Sequence, residues 1–343
     1  MPPYRFEGLL THEDHAWSIR NLSGAVGLSD VSGDLIWNVG SQPPLLQANL
    51  YSDRVNLTQL LGEPAPGGTL ISAKPIDPSF LRAIEALVLY RAAHMQTSEV
   101  TLEDVSAELS LRDGSATIKP FSFNLVGGRF RGKFQVTARE GEMAVDLDMD
   151  IRRVDLKKVL AKLGINPDAF GTIYGQIEIA GIGRSLADVL ASADGNVSLA
   201  MEGGRLDALL LQTAEFDFGA ALALNANKPQ EWVEIRCLIA DFKVRDGVMK
   251  TQKLLIDTHG TKVVGQGTIK LGARWFADLT LSARAKELSL LSGDAPVHVR
   301  GPVTNLSVDP EWLRLVFSLL TPIELGRADD APCRRLTERV LQQ

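Results

Sequence analysis

The feature that most constrains this chain is an alternation with a period of two. From residue 145 to 152 one side reads Val145, Leu147, Met149, Ile151 and the other Asp146, Asp148, Asp150, Arg152. Successive side chains of a strand point to opposite faces, so such a segment folds as a strand with one apolar and one wet face. The pattern recurs with Val105, Ala107, Leu109, Leu111 against Ser106, Glu108, Ser110, Arg112, and again with Ala277, Leu279, Leu281, Ala283 against Asp278, Thr280, Ser282, Arg284. Between two further runs, Arg245-Asp246-Gly247 carries the Asp-Gly pair of a tight primed hairpin turn. A mainly β chain built from antiparallel meanders follows.

Residues Tyr4 to Val55 read as short strands punctuated by Gly8, Gly24, Gly27, Gly33 and Gly40. The stretch from Leu61 to Pro78 is rich in Pro and Gly and reads as an exposed loop and internal boundary. Asp155 to Leu163 places Leu156, Val159, Leu160 and Leu163 at helical spacing and ends at Gly164, giving a short amphipathic helix. Strands resume at 172–180 and 195–202, with a helical turn from Ser185 to Ala191 between them. Arg205 to Leu224 reads as the longest helix. Asp309-Pro310 reads as the start of a last one, with Leu313, Val316, Phe317 and Leu320 on one stripe.

Strands thus outnumber the helices available to cover their apolar faces. The sheet either closes on itself as a sandwich or barrel, or stays open with its apolar side filled by lipid, and the pattern alone leaves both open.

Chemistry is sparse. The five histidines show no metal-ligand spacing, and neither His-Glu-x-x-His nor Cys-x-x-Cys occurs. Gly181-Ile182-Gly183 follows a strand, but Leu186 stands where a dinucleotide fold needs its third glycine. Asp146, Asp148 and Asp150 share a solvated strand face, and His12 and His15 flank Glu13 and Asp14 in a polar turn; neither set reads as a metal site. No nucleophile stands with a base, so the reading is of a protein that is not an enzyme, with no cofactor and no metal. With 36 basic and 42 acidic residues the net charge is −6, which speaks against a nucleic-acid partner. No run reaches the roughly 20 apolar residues of a membrane span, and residues 1–10 carry no signal pattern.

An ordered series of short motifs carries a resemblance. Leu111-Arg112-Asp113-Gly114, Gly127-Gly128, Val154-Asp155-Leu156, Gly181-Ile182-Gly183 and Asp194-Gly195 are followed by Cys237, Asp246-Gly247, Asp257-Thr258, Gly265-Gln266-Gly267 and Pro296-Val297. Pro322-Ile323-Glu324-Leu325-Gly326 and Cys333 close the series. In this order, over roughly Asp53 to Cys333, the chain resembles the C-terminal region of AsmA-family proteins of Gram-negative envelopes, bacterial relatives of bridge-like lipid-transfer proteins. The resemblance implies a long curled antiparallel sheet forming an open, taco-like groove with a few short helices. On that plan residues 1–60 are amino-terminal strands of the same sheet, 61–78 a flexible loop, 79–333 the groove region and 334–343 a tail. It makes residues 83–94 a strand although their helix propensity is high.

Its functional implications are equally definite. The groove binds phospholipid acyl chains along Leu109, Leu111, Val145, Leu147, Met149, Ile151, Leu279 and Leu281, and assists lipid transport or outer-membrane homeostasis. The alternative is a structural platform for outer-membrane proteins, acting by strand or helix contacts without carrying lipid. Partners are then phospholipid and membrane or outer-membrane assembly proteins. The implied location is the periplasm with an inner-membrane anchor, this chain then starting inside a longer gene or at a misassigned Met. Cys237 and Cys333 fall where the family tends to carry cysteines, which implies that they pair in an oxidising compartment; two separate thiols are the alternative.

Overall fold

The computed structural model describes residues 3–61, 71–97, 100–162, 169–207, 232–286, 296–303, 307–310 and 329–340. In chain order its strands are β1 (Tyr4–Glu13), β2 (Ala16–Val26), β3 (Ser29–Asn38), β4 (Leu45–Asn56), β5 (Glu85–Gln96), β6 (Thr101–Arg112), β7 (Ser115–Leu125), β8 (Gly128–Arg139) and β9 (Glu142–Asp155). They continue with β10 (Ala169–Phe170), β11 (Thr172–Gly183), β12 (Asp194–Asp207), β13 (Trp232–Arg245), β14 (Val248–Thr258), β15 (Thr261–Lys270), β16 (Phe276–Ala285), β17 (Pro296–Pro302) and β18 (Ser307–Pro310). Helices are few and short: α1 (Leu57–Leu61), a 3₁₀ turn (Pro78–Arg82), α2 (Leu156–Lys162), α3 (Leu186–Ala191) and α4 (Cys333–Val340). Two compact units result, Met1–Asp150 with Glu178–Ala193, and Ile151–Ile177 with Asp194–Gln343.

In the first unit β1 to β8 pair in sequence order, and β9 lies beside β8. The sheet is open: among the described residues β1 pairs only with β2. Each pairing from β1 to β8 is antiparallel except β4–β5, which is parallel, so the sheet is mixed. The reason lies in the connection over residues 57–84, where α1 and the 3₁₀ turn return the chain to the starting rim; parallel pairing needs such a crossover. The β6–β7 turn follows the Asp-Gly rule, with positive φ at both Asp113 and Gly114. The 3₁₀ turn starts where Asp77 accepts the Ser79 backbone N–H and Pro78 follows as the first helical residue. The residues of β5 pair along their whole length with β4 and β6, and this overrides their helical propensity.

The Gly181-Ile182-Gly183 motif has a packing role. A Cβ at Gly181 would meet the Val189 carbonyl oxygen at 2.2 Å, and one at Gly183 the Val189 nitrogen at 2.6 Å, so the missing side chains let α3 fold back against β11. Ser185 caps α3 by accepting the Asp188 N–H.

In the second unit β12 to β18 form an antiparallel meander, and Asp246 and Gly247 both take positive φ in the β13–β14 turn. Two helix expectations are corrected here. Arg205–Asp207 pair with β13 as the end of β12, and the rest of 205–224 lies outside the described residues. Asp309 and Pro310 pair with His298 and Val297 in β18, so cross-strand pairing takes the place of an N-cap; the stripe at Leu313, Val316, Phe317 and Leu320 lies outside the described residues. In the tail, α4 runs on from Cys333 to Val340.

Gly267 pairs with Leu279 at φ +146, and a Cβ there would sit 2.1 Å from the Asp278 carbonyl oxygen. Gly267→Ala is therefore expected to destabilise the second unit by about 2–3 kcal/mol in urea denaturation. Gly141→Ala, at a positive φ with nothing within 4 Å, is expected to cost about 1 kcal/mol or less.

Candidate functional site

The register of the first unit lines up one apolar residue from each of six neighbouring strands. Leu35 pairs with Ala48, Ala48 with Val88, Val88 with Leu109, Leu109 with Ile118 and Ile118 with Phe134. A Cβ at Gly132 would meet the Met149 Cα at 2.8 Å, which sets β9 beside β8 and brings Leu147 and Val145 onto the same face. Toward one rim Phe121 and Phe123 widen the surface, Phe123 stacking on Phe130 with centroids 4.9 Å apart.

Both rims of this face are closed by protein. At one, Leu81 of the 3₁₀ turn packs on Ala86, Leu111 and Ala138; at the other, Leu57 of α1 joins Val55, Ala92 and Val105. Between the rims every member of the row is half-buried, neither sealed nor free. On the opposite face the polar Asp34, Asn49, Glu108 and Lys119 mix with Ile36, Leu87 and Leu89 around a depression of about 560 Å³.

The second unit repeats the division. Leu254 and Leu281 lean over Gly265, where a Cβ would lie 2.3 and 2.8 Å from their methyls, and Leu281 pairs with Val297. At one end α2 covers this face, Leu156 and Leu160 packing with Met201, Ile235, Leu238 and Ile256. The reverse face carries a strap formed by residues 329–340. Cys237 and Cys333 are joined by a disulfide across 96 residues, with their Cα atoms 5.7 Å apart. Ala331 and Leu336 pack on Ala200, Ile239 and Leu255.

A charge network sits beside the bond. Asp257 is fully buried, and Lys286 Nζ lies 2.8 Å from its Oδ1 and 2.7 Å from Asp330 Oδ1. Arg236 pairs with both acids, its Nε 3.6 Å from Asp257, and the Ala331 N–H donates to Asp257 Oδ2 at 3.2 Å. Two anions thus share two cations, which is the condition for holding a carboxylate inside a fold. Hydrogen bonds from Lys286 and then Arg236 hold the Asp330 carboxyl down at about 2. Among the described residues the cluster of metal-ligand types is Cys237, Asp257 and Cys333, whose two sulfurs are bonded to each other.

The model of the AsmA family matches residues 5–254. The chain belongs to the AsmA family. A curated relative, the AsmA family protein YhjG of Escherichia coli (strain K12), is 22% identical over 333 residues, covering 89% of this chain and 48% of its own length. The chain therefore spans about half the length of that relative. No solved structure matches it. Among the described residues no helix is long and apolar enough to cross a membrane.

Within this AsmA chain the residues expected to line a groove divide by burial. Leu111, Met149 and Ile151 are buried against protein, whereas Leu109, Val145 and Leu147 in the first unit and Leu279 and Leu281 in the second are half-buried. The sequence reading missed the aromatic part of the surface because the alternation changes phase. Ala116 and Ile118 are even-numbered, Phe121 and Phe123 odd, and a bulge at Pro120 makes the switch. The phase jump beside a proline was the available signal.

Because the folded-state pKa of Asp330 is depressed, its ion pairs stabilise the strap above the ordinary carboxylate pKa, and that support fades as pH falls through about 2. Hydrogen exchange of residues 329–340, corrected for intrinsic rates, should stay constant from pH 7 to about 5 and quicken from about pH 4 to 2. Asp330→Asn should show the quicker exchange at every pH.

Proposed function

We propose that this chain is a cell-envelope protein that holds phospholipid acyl chains on the apolar face of its sheets and so assists lipid transport or outer-membrane homeostasis from the periplasmic side. The observation that carries the reading is the row from Leu35 to Phe134: apolar in every strand, half-buried, and walled at both rims. With Leu147 the row crosses seven strands, roughly 29 Å at about 4.8 Å per strand, against about 15 Å for one leaflet of a ~30 Å hydrocarbon core. Each methylene covered is worth about 0.8 kcal/mol, so acyl chains need no polar contact to bind and head groups stay in water. The role is non-catalytic, and selectivity among tails is low.

A second reading rests on β1. It is exposed along its whole length and presents Tyr4, Phe6, Leu9 and Leu10 at 50–72% exposure on an edge strand. Such an edge suits strand addition by an outer-membrane protein, which would make the chain an assembly platform.

Native mass spectrometry separates the two. Wild-type protein purified from an envelope fraction should carry phospholipid. Leu109→Asp with Leu147→Asp should lower that occupancy at least severalfold while the melting temperature changes little, because both positions already meet water. A lipid-free wild type, or a double variant that unfolds without any loss of lipid, favours the platform.

A further inference from the structure

The apolar row of the first unit does not stop at Leu35. Ile19 of β2 pairs with Leu35, and Leu10 of β1 pairs with Ile19, so the same face runs on to the edge of the sheet. Ile19 is half-buried like the rest of the row, whereas Leu10 is 57% exposed, because among the described residues β1 has a neighbour on one side only. Tyr4 and Phe6 share that face with Leu10 and are 72% and 50% exposed. The other side of β1 carries Arg5, Glu7, Leu9, Thr11 and Glu13, polar but for the leucine. Between Glu7 and Leu9 the register slips, the extra residue lying on β2, so β1 keeps its own alternation along its length.

An edge of this kind calls for a cover of definite chemistry. Its free backbone N–H and C=O groups are ill suited to the hydrocarbon of a bilayer, where nothing would meet them, and well suited to another strand. That strand has to alternate in the same phase, apolar on the row side and polar on the other. β1 itself meets the condition. Two copies running antiparallel about a two-fold axis at Leu9 set residues 5–13 of one against the same residues of the other. On the apolar side Phe6 then faces the partner subunit's His12, and Leu10 faces the partner subunit's Gly8. On the polar side Arg5 faces the partner subunit's Glu13, and Glu7 faces the partner subunit's Thr11. Arg5 already bridges Glu7 on its own strand, and a guanidinium has donors enough for both carboxylates. Moving the axis to Leu10 would set Glu7 against the partner subunit's Glu13, and moving it to Gly8 would set Arg5 against the partner subunit's Thr11. Charge therefore selects the axis at Leu9.

We infer that β1 is the contact through which two copies of this chain pair edge to edge, antiparallel about Leu9, so that the apolar row of one first unit continues into that of the other. The contact stands whether or not the row carries phospholipid, and it fills the edge that the platform reading gives to a foreign strand.

Sedimentation equilibrium on the oxidised 343-residue chain tests it, and the wild type should show a reversible monomer–dimer equilibrium. Arg5→Glu should weaken the dimer about tenfold, since two opposite-charge pairs become like-charge pairs, and Arg5→Glu with Glu13→Arg should restore it. Leu9→Cys should give a disulfide-linked dimer on mild oxidation, because directly opposed Cα atoms lie about 4.5–5.5 Å apart, a span that a disulfide bridges. Both native cysteines are already joined and do not compete. Thr11→Cys, whose counterpart lies out of register, should not link. These positions sit on a strand exposed along its whole length, so the variants should fold, with circular dichroism as the check. A chain that stays monomeric at its highest soluble concentration overturns the proposal and leaves the edge to a foreign strand. So does a dimer that is indifferent to Arg5→Glu and links through Thr11→Cys as readily as through Leu9→Cys. A lipid-bearing monomer counts against this proposal alone, and a lipid-free dimer against the acyl-chain reading alone.

Discussion

A strand with alternating residues has one face that water rejects, and the fold has to supply a cover for each such face. Among the described residues the helices are five to eight residues long, and the 3₁₀ turn, α1 and α2 sit at the rims. The 3₁₀ turn and α1 close the ends of the first unit's strands, α2 closes an end in the second, and the middle of the apolar surface keeps a half-buried state. Among the described residues this surface is neither fully packed nor polar, and that state is what connects the sequence pattern to the proposed function.

The two faces of the second unit solve the same problem differently. One leaves Leu254, Leu279 and Leu281 half-buried. The reverse face is closed by a strap that combines a disulfide, a buried ion network and a small apolar cluster. Burying Asp257 would be costly for an isolated carboxylate; Lys286 and Arg236 pair with it and the Ala331 N–H donates to its Oδ2, so its charge is offset by two cations and a backbone donor. The disulfide closes a loop of 96 residues, which in a chain-entropy account stabilises by about 4–5 kcal/mol.

Local patterns were legible and long-range choices were not. The alternation at Val145–Arg152 and Ala277–Arg284, the Asp-Gly turns and the short helices at 156–162 and 186–191 follow from periodicity and turn chemistry, and each recurs in the structure. The parallel β4–β5 pairing could not be read, because it depends on where a long connection returns the chain. Pro120 hid Phe121 and Phe123 by shifting the phase of β7 in mid-strand. Asp257 stands out in sequence only as part of the Asp257-Thr258 motif, and its link to Lys286 and Asp330, dozens of residues away, is made only by the meander of β14 to β16 and the strap. Arg205 and Asp309 show the opposite error, in which local helix signals lose to a neighbouring strand.

The covalent link between Cys237 and Cys333 has a topological consequence. It turns everything from β14 to the strap into a closed ring of polypeptide, so a single cut anywhere inside that ring leaves both ends attached to the same molecule. In a compartment populated by proteases, one scission event there yields a nicked but undivided chain, and fragments part company only after reduction.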